Sequence, residues 1–213
     1  MKNLSNQIVV VRSQEELDSL DPSKVENVRV EFGTEHDPAI IDDYFNDISV
    51  VGDHAAEVGV NCKVRFCNRS ICVGTPVRSI IIMDDDASAT ITNDGKNSIY
   101  AGGRSRLYIS GDNTVIANCN ASIHVNTSTV FAPLITVYDN TEIELHGYAV
   151  INLYDHSLAS VYYKGRIQAN MYDCSTMILH MNRGDKMLHN INGTSTNTRV
   201  VFAYENDIKI TIL

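Results

Sequence analysis

Between Asp139 and His180 the chain repeats itself every eight residues, and this repeat limits the fold more than any other feature. The units read Asp139–His146, Gly147–Tyr154, Asp155–Tyr162 and Tyr163–Asn170, then Asp173–His180 after two extra residues at Met171-Tyr172. Each opens on a turn residue or a polar one, passes through a small residue, and carries apolar side chains at its fifth and seventh places. Gly95, Gly103, Gly111, Cys119 and Thr127 start further octads, and weaker ones begin at Val77 and Asp85. With extra residues assigned to Asn93-Asp94, Ile135–Tyr138 and Met171-Tyr172, residues 77–180 hold 12 octads. A fixed short period of this kind marks a solenoid, in which each unit buries its apolar face only by stacking on its neighbours.

The alternation inside the octad identifies the stacked element. Successive side chains of a strand point to opposite faces, so the third, fifth and seventh places share one face. That face reads Asn97/Ile99/Ala101, Ser105/Leu107/Ile109, Asn113/Val115/Ala117, Ala121/Ile123/Val125 and Thr141/Ile143/Leu145. It continues as Ala149/Ile151/Leu153, Ser157/Ala159/Val161, Gly165/Ile167/Ala169 and Ser175/Met177/Leu179. These side chains are small to medium, as a narrow interior requires. Asp or Gly at the first place suits a bend, because both tolerate backbone angles that other residues avoid. A two-sheet sandwich also needs strands and turns, but it does not need a fixed octad.

The sequence therefore predicts an all-β fold, a right-handed parallel β-helix with a small α/β N-terminal cap and a C-terminal strand pair. Residues 1–76 form the cap and irregular first coils, 77–180 the octad solenoid, and 181–213 a polar loop with closing strands, in one structural domain. Ser13-Gln14-Glu15-Glu16 matches a capping box, with Ser13 as N-cap of a short helix reaching to about Leu20. Pro38 to Phe45 reads as a second short helix. Val58/Val60, Val64/Phe66 and Ile71/Val73 suggest early coils of shorter period. Arg183–Thr198 is a polar loop with a turn signal at Asn192-Gly193, followed by strands at Thr198–Tyr204 and Asp207–Leu213. Tyr138, Tyr154 and Tyr172 recur at spacings of 16 and 18, which favours two octads per coil over three. Two per coil predicts outward ladders Tyr138/Tyr154/Tyr172 and His146/Tyr162/His180.

Ser13-Gln14-Glu15-Glu16-Leu17, Gly111-Asp112-Asn113-Thr114-Val115-Ile116-Ala117-Asn118 and Asp139-Asn140-Thr141-Glu142-Ile143-Glu144-Leu145 together resemble a known pattern. They are similar to phage, prophage and gut-bacterial right-handed parallel β-helix proteins with Asp/Gly-Asn-Ser/Thr-x-Val-x-Ala octads. The resemblance implies the fold and a phage-type setting, in which such a protein blocks or sequesters a host partner. It supplies no catalytic motif.

Charge and cysteine usage narrow the function classes. The formal net charge is -9, with -6 in residues 1–76, -4 in 77–180 and +1 in 181–213. This sign opposes nonspecific binding to nucleic acid or anionic membranes. No stretch approaches the roughly 20 apolar residues of a membrane span, and the polar start lacks a signal-peptide core. A cytoplasmic protein is the expectation. Cys62, Cys67, Cys72, Cys119 and Cys174 form no C-x-x-C pair and read as free thiols.

No nucleophile elbow, P-loop or dinucleotide fingerprint appears, so no cofactor is expected. Asp84, Asp85 and Asp86 are the sharpest acidic cluster and the weak candidates for a metal, although three consecutive acids at a turn are more simply solvated. Glu35-His36-Asp37 with Asp42-Asp43 reads as acidic surface. The aromatic stripe of Tyr138, Tyr148, Tyr154, Tyr162, Tyr163 and Tyr172, with His146 and His180, is the binding or interface candidate. Val150, Leu158 and Ile178 add outward apolar area to it, and contiguous outward apolar area marks an interface. Coverage by the termini is the alternative. The expected function is a non-catalytic binding protein, a homo-oligomer with a host protein or small ligand as partner. A carbohydrate-active β-helix enzyme and a self-assembling scaffold similar to bactofilins are the alternatives.

Overall fold

The computed structural model describes residues 8–127, 132–162, 166–181, 188–193, 197–204 and 207–212. One octad of each coil joins one sheet and the next octad joins the other, so a coil holds two. Sheet A begins with Ile8–Val11, Asn27–Val30, Asp47–Val50, Lys63–Phe66, Ile80–Met83 and Ser98–Ala101. It continues through Thr114–Ala117, Leu134–Val137, Ala149–Leu153 and Arg166–Met171 to Leu188–Gly193. Sheet B runs from Ala39–Ile41 through Ala55–Val58, Ile71–Val73, Ser88–Ile91, Arg106–Ile109 and Ser122–Asn126. It goes on through Glu142–His146, Leu158–Tyr162 and Thr176–Met181 to Arg199–Tyr204, where Asp207–Ile212 closes it antiparallel. Neighbouring coils pair in parallel, and the whole is the right-handed parallel β-helix that the octad predicts. Both sheets cross residue 76 without interruption, since Lys63–Phe66 pairs directly with Ile80–Met83.

The two sheets face each other across a single file of apolar rows. Along sheet A one row reads Val50, Phe66, Met83, Ala101, Ala117, Val137, Leu153 and Met171, each directly above the last and each buried. Identical orientation in every coil follows from the parallel register, and burial of these rows is the main force holding the coils together. At the bend from sheet A to sheet B, Asn68, Asp85, Cys119, Asp139, Asp155 and Asp173 are all left-handed, with φ of 54–64°. The carboxylate of Asp139 accepts the Cys119 N–H at 2.9 Å, Asp155 accepts that of Asp139 at 3.2 Å, and Asp173 that of Asp155 at 3.3 Å. The first place thus prefers Asp for two reasons: it tolerates the bend, and it satisfies the amide one coil below.

Several expectations need correction. The extra residues are not at Ile135–Tyr138 or Met171-Tyr172. Ile135 and Val137 point inward within Leu134–Val137, and Ile167, Ala169 and Met171 are the inward residues of Arg166–Met171. The registers on either side place the extra residues between Asn126 and Leu134 and between Tyr162 and Arg166. Ala39–Ile41, within the expected second helix, is a strand that starts sheet B. Cys72, rather than Ile71 and Val73, points inward there, and Val60 is exposed. Leu188–Gly193 lies in the expected polar loop but is the last strand of sheet A, with Asn192-Gly193 inside it.

The N-terminal helix, Gln14–Asp18, sits where an earlier sheet B strand would lie. Ser13 Oγ accepts the Glu16 N–H at 3.2 Å, and Glu16 accepts the Arg12 N–H at 2.6 Å. The Gln14 side chain then completes the exposed edge of sheet B, accepting the Ile40 N–H at 2.9 Å and donating to its carbonyl at 3.0 Å. One amide side chain stands in for a missing strand, which blocks further pairing at this edge.

Candidate functional site

The outward side chains form ladders because residues at one octad place repeat every coil in parallel register. Tyr138, Tyr154 and Tyr172 stack at the bend leaving sheet A, with ring centroids 4.9 and 4.4 Å apart and planes within 15°. His146, Tyr162 and His180 stack along sheet B at 5.0 and 4.0 Å. Both predicted ladders are therefore present. The second extends further than expected, since His124 meets His146 at 5.2 Å and Tyr108 stacks on His124 at 4.6 Å.

The tyrosines do not make one stripe. They divide between the bend and sheet B, and Tyr148 joins neither ladder among the described residues. It lies at the turn into Ala149–Leu153, where its carbonyl accepts the Thr127 hydroxyl at 2.6 Å. Tyr163 lies outside the described residues. Val150 belongs to sheet A, whereas Leu158 and Ile178 belong to sheet B. Within the ladders the ring faces are occupied by neighbouring rings, so edges and polar tips face outward. Such stacking braces consecutive coils by about 0.5–1.5 kcal/mol per pair, but it withholds the flat faces that a stacked ligand would need. Burial and the neighbouring Tyr172 push the Tyr154 hydroxyl pKa up.

His180 ends the sheet B ladder. Its Nε2 is buried and, among the described residues, meets no hydrogen-bond partner. Desolvation holds its pKa below the ordinary 6.5, with Glu144 pulling weakly the other way. The folded state therefore favours neutral imidazole, and its contribution to stability is lost as pH falls below about 6.5. Melting followed by circular dichroism between pH 7.5 and 5.5 is expected to show a falling Tm in the parent chain and a flatter profile in His180→Gln.

Glu144 lies between two histidines of this ladder. His146 Nε2 is 2.8 Å from Glu144 Oε1, and His124 Nδ1 is 3.4 Å from Oε2. The hydrogen bond from His146, aided by His124, holds the Glu144 pKa below the usual carboxylate range. Sequence reasoning missed this cluster, because His124 and Glu144 are far apart in sequence and meet only through the register. The available signal was the coil itself: His124 and Glu144 share the sixth place of consecutive sheet B octads and pair directly across the ladder.

Asp84, Asp85 and Asp86 are already engaged. Asp84 pairs with Arg65 at 2.5 Å, Asp86 with Arg104 at 2.7 Å, and Asp85 accepts the Asn68 N–H at 3.1 Å from a left-handed turn. All five cysteines are free, and burial pushes the Cys72 thiol pKa up to about 12.

The outward apolar surface is centred elsewhere than the tyrosine ladders, on sheet A. Ile80, Tyr100, Ile116 and Leu134 are each 37–43% exposed on neighbouring strands, with Ile82 and Val150 beside them. The remaining outward residues of these five strands are Ser98, Thr114, Thr136 and Asn152, so no acid or base interrupts the face. Lys63 and Arg65 border it at one end. At the other, an amide ladder begins, with Asn152 donating to Thr136 at 3.2 Å, Asn170 to Asn152 at 2.9 Å and Asn192 to Asn170 at 3.2 Å. No helix among the described residues is long and apolar enough to cross a membrane. No family model, curated protein or solved structure matches the chain.

Proposed function

We propose that this chain is a non-catalytic binding protein that works in the cytoplasm as a homodimer joined through the outer face of sheet A. A phage-type role, blocking or sequestering a host protein, follows from the resemblance of its octads. The observation that carries the dimer is the charge-free apolar face over five adjacent strands of a chain whose net charge is -9. Depletion of charge around exposed aliphatic and aromatic side chains is what distinguishes the centre of an interface from ordinary surface. A neutral face also lets two acidic molecules meet without like charges in contact.

The size supports the same reading. Strands about 4.8 Å apart give the eleven-stranded sheet a length of about 50 Å. With a width of about 15 Å the whole sheet offers on the order of 750 Å², close to the roughly 800 Å² per partner of a stable pair, and the five charge-free strands supply a little under half of it. Ile80 to Val150 form the apolar centre, and the Asn ladder and basic border form a polar rim. A second copy matches this face rung for rung, since its strands have the same spacing, and a two-fold pairing closes the assembly. Non-catalytic action is favoured because the three consecutive aspartates serve arginine pairs and a turn.

Sedimentation velocity tests the assignment. Ile116→Asp with Leu134→Asp is expected to shift the protein from dimer to monomer while leaving its circular dichroism unchanged. Tyr154→Ala with Tyr162→Ala is expected to stay dimeric with a lower Tm. A monomer from the tyrosine variant and a dimer from the aspartate variant would move the interface to the ring ladders.

A further inference from the structure

We infer that His124, Glu144 and His146 form a site for one borderline first-row divalent cation such as Zn²⁺, clipping two consecutive coils of sheet B together. The three side chains offer two imidazole nitrogens and a carboxylate, with ligand atoms all within 4.8 Å of one another. A tetrahedral zinc shell, with bonds of about 2.0–2.2 Å, places its donors roughly 3.3–3.6 Å apart. Of the observed separations, 3.4 Å falls within that spacing and 2.8 Å is shorter, so small side-chain rotations that open the His146–Glu144 contact admit the ion.

The backbone fixes the arrangement. His124 and Glu144 face each other across the parallel pair Ser122–Asn126 and Glu142–His146, and His146 lies two residues along the same outward face. Each imidazole is also held by a ring on its far side, Tyr108 at 4.6 Å and 13° for His124, Tyr162 at 5.0 Å and 9° for His146. Rings positioned in advance lower the cost of assembling a metal shell. Two nitrogens and one oxygen select zinc-like ions over Mg²⁺ and Ca²⁺, which prefer oxygen alone. The half-exposed surface leaves a fourth position for water.

The test uses the full chain after treatment with a chelator. Equilibrium dialysis against Zn²⁺ is expected to give one ion per chain, and His124→Gln with His146→Gln is expected to weaken binding by about 100-fold or more. Glu144→Gln is expected to weaken it by at least about tenfold. With Co²⁺ as the probe, visible absorption bands are expected without the near-ultraviolet band of thiolate ligation, and Cys119→Ser with Cys174→Ser is expected to leave them unchanged. Zinc is expected to raise the Tm of the parent chain by about 5 °C but not that of the histidine variant. Undiminished zinc affinity in the histidine variant, thiolate bands with Co²⁺, or no zinc retained at 0.1 mM would each overturn the assignment.

Discussion

Asn113→Ala is expected to destabilise the protein by about 3–4 kcal/mol, far more than a polar-to-alanine change on an exposed strand face. Asn113 sits at the third place of its octad, inside the corner of the coil, and is 2% exposed. Its Oδ1 accepts both the backbone N–H of Asn97 at 3.0 Å and the Asn97 side-chain amide at 2.9 Å. Its Nδ2 donates to the carbonyls of Asn93 at 3.0 Å and Ser110 at 2.9 Å. Asn97 repeats the pattern one coil below, accepting the Ser79 N–H at 3.0 Å and donating to Pro76 at 2.8 Å. Truncating Asn113 leaves buried backbone groups without partners, and each such group costs about 1–3 kcal/mol. Urea unfolding should show the loss, whereas Thr90→Ala on the exposed outer face of sheet B should stay within about 0.5 kcal/mol of the parent. Because a solenoid couples mainly nearest neighbours, amide exchange should accelerate around Ile80–Met83 and Ser98–Ala101 and remain unchanged in Thr176–Met181.

Phe66→Ala is expected to cost about 3–5 kcal/mol. Phe66 is fully buried in the inward row of sheet A, between Val50 below and Met83 above. Removing the ring leaves a void, and the register of a parallel stack prevents the adjoining coils from sliding together to fill it. Phe66→Leu, which keeps most of the volume, should cost about half as much or less. Thermal melts of the two variants against the parent chain give the ordering directly.

The features that were legible in the sequence are those that repeat. Tyr138, Tyr154 and Tyr172 revealed the two-octad coil because a parallel stack returns each octad place to the same line. Ser13 and Glu16 revealed the helix cap through local chemistry. The insertions assigned to Ile135–Tyr138 and Met171-Tyr172 were misplaced for a specific reason: each contains an even number of residues. A shift of two along a strand preserves which face each side chain points to, so Ile135 and Met171 look equally inward in either frame. Ile71 and Val73 stood out as the apolar pair of their strand by alternation, although a free cysteine such as Cys72 buries as readily as a small apolar side chain. Ala39–Ile41 is too short for any periodicity to distinguish strand from helix.

The outer surface was harder to read. Ile80, Tyr100, Ile116 and Leu134 are separated by 16 to 20 residues in sequence, and only the exact register brings them together. The same is true of His124 and Glu144. The bulky tyrosines drew attention first, yet their faces are spent on one another, and the apolar face that remains lies on the strands of sheet A.

Native mass spectrometry of the unmodified protein, purified from host lysate and diluted through the micromolar range, tests the assembly most directly. The predicted result is a species at twice the 23.6 kDa chain mass. It should dissociate on dilution and disappear in Ile116→Asp with Leu134→Asp. A single 23.6 kDa species at every concentration would contradict it.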